Sequence, residues 1–101
     1  MTDRILILNG PNLNLLGTRK PAVYGTTTLA EVDAACERLG AELGFEVSTF
    51  QSNHEGELVD KLQEAGRNGV GVVFNPGAYS HTSIALRDAI EGAEAVVVEV
   101  H

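Results

Sequence analysis

Four apolar runs rich in β-branched residues divide the chain into alternating segments, and this alternation strongly constrains its fold. Between the runs, apolar residues recur every three or four positions, which is typical of helices that bury one face. Most of the runs are nearly continuous, as expected for parallel strands covered on both sides. The pattern therefore predicts the order β-α-β-α-β-α-β. The runs are Ile5–Leu8, Phe45–Phe50, Val70–Phe74 and Ala95–Val100.

The helical stretches carry residues that commonly start and stop helices. Thr28 followed by Glu31 predicts a capping box at the start of the first helix, and Gly44 suits its end. Either Thr82 or Ser83 is expected to cap the third helix. The apolar positions extend from Leu29 to Leu43, from Leu58 to Ala65 and from Ile84 to Ile90.

Strands that alternate with helices in this way predict a parallel sheet with right-handed crossovers. We expect a single α/β domain over residues 1–101, a flavodoxin-like doubly wound parallel sheet with strand order 2-1-3-4. In such sheets ligands bind beyond the carboxyl ends of the strands. Polar clusters follow all four predicted strands, so one rim of the sheet is the expected site. The clusters are Asn9–Tyr24, Gln51–Glu55, Asn75–His81 and Glu99–His101.

Composition excludes several classes of function. A formal net charge of −7 argues against a nucleic-acid binder, which needs a basic surface. No apolar run approaches the roughly 20 residues of a membrane span, and no signal peptide opens the chain. The single cysteine, Cys36, excludes an internal disulfide and fits a reducing cytoplasm. We expect it to be a buried structural thiol in the first helix.

No pattern for a metal or a cofactor is present. The three histidines are scattered, without the spacing of a metal motif, and no phosphate-binding glycine loop occurs. We therefore do not expect a metal site or a nucleotide phosphate held by a glycine loop. A Schiff-base enzyme would need a desolvated lysine, and neither Lys20 nor Lys61 lies in an apolar segment.

The stretch that follows the first strand is unusually long. Loops between a strand and a helix commonly run about 2–6 residues, whereas this one extends from Asn9 to the helical pattern at Leu29. It carries Asn12, Arg19 and Tyr24, which are side chains suited to acid–base chemistry. Long loops of this kind are usually functional or disordered, and the prolines and leucines here favour function.

Tyr24 could act as a base only if its phenolate were stabilised. Lowering a tyrosine pKa from near 10 by about 3 units requires about 4 kcal/mol of preferential phenolate stabilisation. Arg19, in the same loop, could supply the positive charge. The alternative is that Tyr24 merely packs and that Arg19 is solvated.

Two further polar clusters could serve a site or could have only a structural role. Residues 75–83 read Asn-Pro-Gly-Ala-Tyr-Ser-His-Thr-Ser, and the helix start there could bind an anion, or could simply be a capped helix with His81 at the surface. Strand alternation would place Glu99 and His101 on one face, where the carboxylate could orient the imidazole. A histidine at a strand end can equally be incidental.

Together these residues resemble type II 3-dehydroquinate dehydratase. The resemblance lies in the motif Asn-Gly-Pro-Asn-Leu-Asn-Leu-Leu-Gly at residues 9–17 and in Arg19, Pro21 and Tyr24-Gly25. It continues through Gln-Ser-Asn-His-Glu-Gly-Glu at residues 51–57, the cluster at residues 75–83, and Glu-Val-His at residues 99–101. The resemblance covers essentially the whole chain.

The resemblance implies anti elimination of water from 3-dehydroquinate to give 3-dehydroshikimate. Tyr24 would remove the C2 proton, and Arg19 would lower the tyrosine pKa and close a mobile lid. Asn12 would hold a water molecule or the developing enolate oxygen. His101 would protonate the departing hydroxyl, held in place by Glu99.

The same resemblance implies binding and assembly roles. Asn75 and His81 would bind substrate hydroxyls, and Asp88 matches the family position that reaches a neighbouring subunit's site. The family uses no metal or organic cofactor and commonly forms a dodecamer of trimers. The chain stops at His101, before the family's carboxylate-binding amides, last strand and last helix, so a C-terminally truncated domain is expected.

Three hypotheses follow from the sequence. The chain could be the dehydratase, a non-enzymatic flavodoxin-like domain that binds a small anion, or an inactive fragment or assembly module of the enzyme.

Overall fold

The computed structural model describes residues 3–18, 22, 25–81 and 83–101, and for Ser80 and His81 it describes the backbone alone. The predicted alternation of strands and helices is confirmed. The strands are β1 (Asp3–Asn9), β2 (Phe45–Gln51), β3 (Gly71–Asn75) and β4 (Val97–Glu99). The helices are α1 (Leu29–Glu42), α2 (Glu55–Asn68) and α3 (Ile84–Gly92), with 3-10 turns at Leu13–Leu15 and Gly77–His81.

The four strands form one parallel sheet in the order β2-β1-β3-β4, which confirms the predicted order. Asn9, the last residue of β1, lies beside Gln51 on one side and Asn75 on the other. Three strands therefore end at the same level. Their carboxyl ends form one rim, where the polar loops begin.

The core lies on one face of the sheet, beneath α2 and α3. Leu8, Phe74, Leu58 and Leu62 are completely buried there. Burial of a large apolar side chain contributes about 1.5–3 kcal/mol. The rim thus stands on a well-packed layer that fixes the ends of β1 and β3.

Two glycines allow close approaches that a larger residue would prevent. A Cβ on Gly66, in α2, would collide with the backbone carbonyl of Ala93 at the end of α3. A Cβ on Gly10 would collide with the carbonyl of Pro76, which follows β3. The first approach lets the helices pack together, and the second brings two of the rim loops into contact.

The helix α1 is less buried than the sequence predicts. The capping box is present as predicted, with Thr28 Oγ1 accepting a hydrogen bond from the Glu31 backbone N–H at 3.2 Å. Cys36, however, is only half-buried, so the prediction of a buried thiol is wrong. Leu39 and Leu43 are 56% and 63% exposed. Within the described residues α1 packs mainly on β2, which leaves part of its apolar face uncovered.

The strand β4 is shorter than the predicted Ala95–Val100. Glu94 just before it has a positive φ of 57°, which turns the chain into the strand. Hydrogen bonds to β3 nevertheless extend beyond the assigned ends, from the Val72 N–H to the Val96 carbonyl at 2.8 Å and from the Val100 N–H to the Phe74 carbonyl at 2.9 Å. In the described part of the chain, no helix is both long and apolar enough to cross a membrane.

Candidate functional site

Backbone hydrogen bonds continue past the ends of the strands and draw the first three loops together. The Gly10 N–H donates to the Asn75 carbonyl at 2.8 Å, and the Ser52 N–H donates to the Asn9 carbonyl at 3.0 Å. The loops after β1, β2 and β3 therefore leave the sheet in contact. This confirms the sequence-based expectation that their polar clusters meet at one rim.

The first loop begins with an unusual backbone conformation at Asn12. Its φ of 68° and ψ of −6° lie in the left-handed region, which asparagine adopts more readily than most residues. The Asn12 backbone N–H donates to Asn53 Oδ1 at 3.0 Å, so the loop after β2 holds the loop after β1. The Asn12 residue itself is exposed at the rim.

The side-chain amide of Gln51 also joins the loops after β1 and β2. Its Nε2 lies within hydrogen-bond distance of the Gly10 carbonyl at 3.1 Å, Asn53 Oδ1 at 3.2 Å and Asn14 Oδ1 at 3.4 Å. The sequence marked residues 51–57 as part of a motif and Ser52 and Asn53 as preceding the second helix, but it assigned Gln51 and Asn53 no role in the site. The sequence signal for this contact was their position directly after β2, because the predicted topology places that point next to the amide-rich loop after β1.

The side chain of Asn75, at the end of β3, holds the start of the loop that follows. Asn75 Oδ1 accepts a hydrogen bond from the Gly77 N–H at 3.1 Å, which leaves the side-chain NH₂ group as a potential donor. Farther along, the Tyr79 hydroxyl donates to the Asn53 carbonyl at 3.1 Å. The loop after β3 is thereby tied to the loop after β2.

A cavity of about 240 Å³ lies between the first and third loops. Apolar side chains form most of its lining, and Asn12 is the polar side chain in it. Such a mixture of an apolar wall with a few placed polar groups is typical of small-molecule sites. The lining residues are Pro11, Asn12, Leu13, Leu15, Leu16, Gly17 and Ala78.

The start of α3 is already occupied by a carboxylate of the same chain. Ser83 Oγ caps the helix by accepting from the Leu86 N–H at 3.0 Å, and it donates to Glu55 Oε2 at 2.6 Å. Ser83 is 4% exposed. A negative charge beside this helix start disfavours the binding of another anion, which weakens the hypothesis of an anion-binding domain.

The residues after β4 reach the same rim by their register. Glu99 lies beside Phe74, the residue before Asn75. His101 is exposed, and no hydrogen bond or ion pair joins it to Glu99 among the described residues. The proposed orientation of the imidazole by Glu99 therefore stays a prediction.

Several predicted site residues lie elsewhere or outside the described residues. Arg19 and Tyr24 are not among the described residues, nor is the side chain of His81. Asp88 lies midway along α3 with its side chain exposed, beside Ile84 and away from the loops at the rim.

One carboxyl of α1 has a displaced pKa. Burial raises the pKa of Asp33, in the second turn of α1, and the neighbouring charge of Glu37 raises it further. The Asp33 Oδ1 atom is buried without a hydrogen-bond partner among the described residues. Within that part of the chain, no group of three or more acidic, histidine or cysteine side chains could hold a metal ion.

Residues 3–101 match the model of the family described as Dehydroquinase class II. The chain is 61% identical to a protein named 3-dehydroquinate dehydratase from Marinomonas sp. (strain MWYL1), over 96% of this chain and 68% of that protein. It is 58% identical to a protein of the same name from Maricaulis maris (strain MCS10), over 100% of this chain and 69% of the relative.

Solved structures give the same result. The crystal structure of type II dehydroquinase from Propionibacterium acnes superposes with a TM-score of 0.93 at 42% identity, covering 100% of this chain and 70% of that one. The crystal structure of a 3-dehydroquinate dehydratase-like protein from Bifidobacterium longum has a TM-score of 0.74 at 31% identity, covering 98% of this chain and 71% of that one.

Proposed function

The chain belongs to the dehydroquinase class II family, whose members dehydrate 3-dehydroquinate in the shikimate pathway, and we propose that it forms 3-dehydroshikimate by anti elimination through an enolate. The observation that most supports this activity is the cavity lined by Asn12 between the loops after β1 and β3, both of which are hydrogen-bonded to Asn53 in the loop after β2. The chemistry divides into removal of a proton, stabilisation of the enolate and departure of water.

Tyr24 is the proposed base. Its phenolate takes the C2 proton, and the electron pair of the broken C–H bond delocalises onto the carbonyl oxygen as an enolate. Arg19 keeps the phenolate populated near neutral pH through its positive charge, and it covers the substrate as part of the loop. Both residues belong to the loop that begins at the cavity, which supports the assignment.

Asn12 is proposed to stabilise the enolate oxygen, directly or through a water molecule. Its exposed side chain lines the cavity, and its backbone is held by Asn53. A donor that is fixed before the reaction stabilises developing charge without reorganising during it. The held conformation of Asn12 supports such a role.

His101 is proposed to be the acid. When the enolate collapses, the bond from carbon to the leaving hydroxyl breaks, and the imidazolium proton completes the departing water. Glu99 orients the imidazole. Asn75 and His81 bind substrate hydroxyls, and the NH₂ group of Asn75, which has no acceptor among the described residues, supports its part in this.

The assembly is proposed to be a dodecamer of trimers in the cytoplasm. Asp88 would complete the site of a neighbouring subunit, and its exposure on α3, away from its own rim, is compatible with that role. The substrate is a small organic anion, and the proposal includes neither nucleic acid nor a membrane as a partner.

The substitution Tyr24→Phe tests the base. We expect the rate constant kcat to fall by about 10²–10⁴-fold, the usual contribution of general acid–base catalysis. The measurement is the ultraviolet absorbance of the conjugated enone product. Tyr79→Phe is the matched control, since its hydroxyl bonds the Asn53 backbone, and we expect it to keep kcat within about tenfold. Wild-type turnover by Tyr24→Phe would refute the assignment of the base.

A further inference from the structure

One short hydrogen bond between two side chains joins the start of α3 to the start of α2. Ser83 Oγ donates to Glu55 Oε2 at 2.6 Å, a length typical of a bond from a hydroxyl to a carboxylate. Ser83 is buried and Glu55 is half-buried, so solvent screens this contact only in part. Bonds to a charged group are roughly twice as strong as neutral ones. The bond is therefore able to hold together the two loops that carry its ends.

The surroundings of the Glu55 carboxylate suit this role. Glu55 is the first residue of α2, and it bonds the residue that caps α3. The N-terminus of a helix stabilises a nearby negative charge, and here two such ends lie beside one carboxylate. Among the described residues no cationic side chain forms an ion pair with Glu55, and the Ser83 hydroxyl is the group that bonds it. The carboxylate therefore serves to join the two helix starts.

The loop after β3 is also held at a second point, four residues before Ser83. The Tyr79 hydroxyl donates to the Asn53 carbonyl at 3.1 Å, and the Ser83 N–H donates to the Tyr79 carbonyl at 3.1 Å. Asn53 and Glu55 both belong to the stretch that follows β2. The loop after β3 is thus bonded to that stretch on both sides of His81, which is the last residue of its 3-10 turn.

We propose that Glu55 is a positioning residue for substrate binding, which acts through Ser83 on the segment that carries His81. This role rests on the proposed function, in which His81 binds a substrate hydroxyl. Ordering a loop at the moment of binding costs free energy and weakens affinity. With the bond from Ser83 to Glu55 in place, the segment around His81 is ordered before the substrate arrives.

The split between KM and kcat tests this role. His81 contacts no breaking bond in the proposed mechanism, so it binds the substrate and the transition state alike, and its displacement should appear in KM. Glu55→Ala should raise KM about tenfold and change kcat by less than about threefold.

Glu57→Ala is the matched control. Glu57 lies in the same turn of α2 and has the same charge, but its Oε1 accepts from Ser52 Oγ and makes no bond to the loop after β3 among the described residues. We expect this variant to keep KM within about threefold of the wild-type value. Equal KM values for Glu55→Ala and Glu57→Ala would overturn the proposal.

Two further variants separate this hydrogen bond from the capping of α3. Ser83→Asp keeps an oxygen that can accept from the Leu86 N–H, so the helix remains capped. It also places a second negative charge against Glu55, which should raise KM about tenfold or more. Adding Glu55→Gln supplies an amide that can donate to the new carboxylate, and KM should return to within about threefold of the wild-type value. A double variant that keeps the raised KM would contradict the proposal.

A double-mutant cycle tests whether Glu55 acts through His81. In a His81→Ala background the imidazole to be positioned is gone, so Glu55→Ala should change KM by less than about twofold there. A tenfold effect that persisted in this background would show that Glu55 acts on another part of the site, and the proposal would be wrong.

Hydrogen exchange gives a readout that does not depend on turnover. The Ser83 and Leu86 N–H groups bond the Tyr79 carbonyl and Ser83 Oγ, and Glu55→Ala should speed their exchange about tenfold or more, whereas Glu57→Ala should not. Unchanged exchange in Glu55→Ala would overturn the positioning role whatever the activity. Faster exchange beside a wild-type chain that does not convert 3-dehydroquinate would count against the proposed function alone.

Discussion

At the scale of single residues, two amide side chains keep the first loop in its shape. The left-handed backbone of Asn12 costs about 1 kcal/mol or more and persists only where neighbouring groups hold it. Asn53 Oδ1 does so by accepting from the Asn12 N–H, while Gln51 Nε2 binds the Gly10 carbonyl. The proposed enolate-binding residue is therefore positioned by the loop of another strand.

Removing the Asn53 side chain should impair catalysis through Asn12. Asn53→Ala leaves the Asn12 N–H without its acceptor, and we expect kcat/KM to fall about tenfold or more, with the larger part in kcat. Steady-state kinetics on the enone absorbance, with thermal unfolding to verify the fold, measure this. Asn14→Ala is the control, because Asn14 Oδ1 accepts only a long 3.4 Å contact from Gln51. Equal kinetics for both variants would contradict the positioning role.

Asp33 gives a prediction on pH. Burial and Glu37 raise its pKa in the folded chain, so the charged carboxylate destabilises the native state above that pKa. Below the unfolded-state pKa, near 3.9, the carboxyl is protonated in both states and the penalty disappears. Asp33→Asn should therefore raise stability at pH 7, by about 0.2–0.5 kcal/mol from the relieved repulsion with Glu37 alone.

Thermal unfolding between pH 3 and pH 7 measures the effect, and the advantage of Asp33→Asn should shrink as the pH falls. Asp60→Asn, at an exposed position of α2, is the control. A gain from Asp33→Asn that stayed constant over this range would show that the carboxylate charge is not its cause.

At the scale of helices and strands, the sequence predicted the features that depend on residues close together in the chain. The alternation of strands and helices follows from periodicity, and the capping box at Thr28 follows from hydrogen bonds within a few residues. The cap of α3 was narrowed to Thr82 or Ser83, and Ser83 caps it. The exposure of Leu39 and Leu43 could not be predicted, because periodicity identifies an apolar face but not what covers it. Tertiary bonds such as that from Asn12 to Asn53 likewise depend on the register between distant strands.

The contact between α2 and α3 depends on Gly66. In Gly66→Ala the new methyl group would collide with the Ala93 carbonyl, and we expect a loss of about 1–3 kcal/mol in the free energy of unfolding. Gly56→Ala is the matched control in the same helix, since among the described residues no atom outside its own helix lies within 4 Å of the position that its new methyl group would take. We expect it to be neutral or stabilising by up to about 1 kcal/mol. Urea titration measures both, and equal losses would refute the close packing of the helices.

At the scale of the whole molecule, the two faces of the sheet are covered unequally. On one face α2 and α3 pack over β1 and β3 and bury Val72 to 2% exposure. On the other face α1 packs mainly on β2, and Val98 of β4 is 55% exposed. The loops after β1 and β3 therefore stand on the well-packed layer, whereas Glu99 and His101 follow the less covered strand.

This asymmetry predicts unequal effects of the same substitution on neighbouring strands. Val72→Ala should lower the free energy of unfolding by about 2 kcal/mol, since it removes two buried carbon atoms and leaves a cavity. Val98→Ala should lower it by less than about 1 kcal/mol, because the side chain is already half in water. Urea unfolding of the 101-residue chain at several protein concentrations measures both. A loss at Val98 as large as that at Val72, growing with protein concentration, would mean that association covers this face in solution.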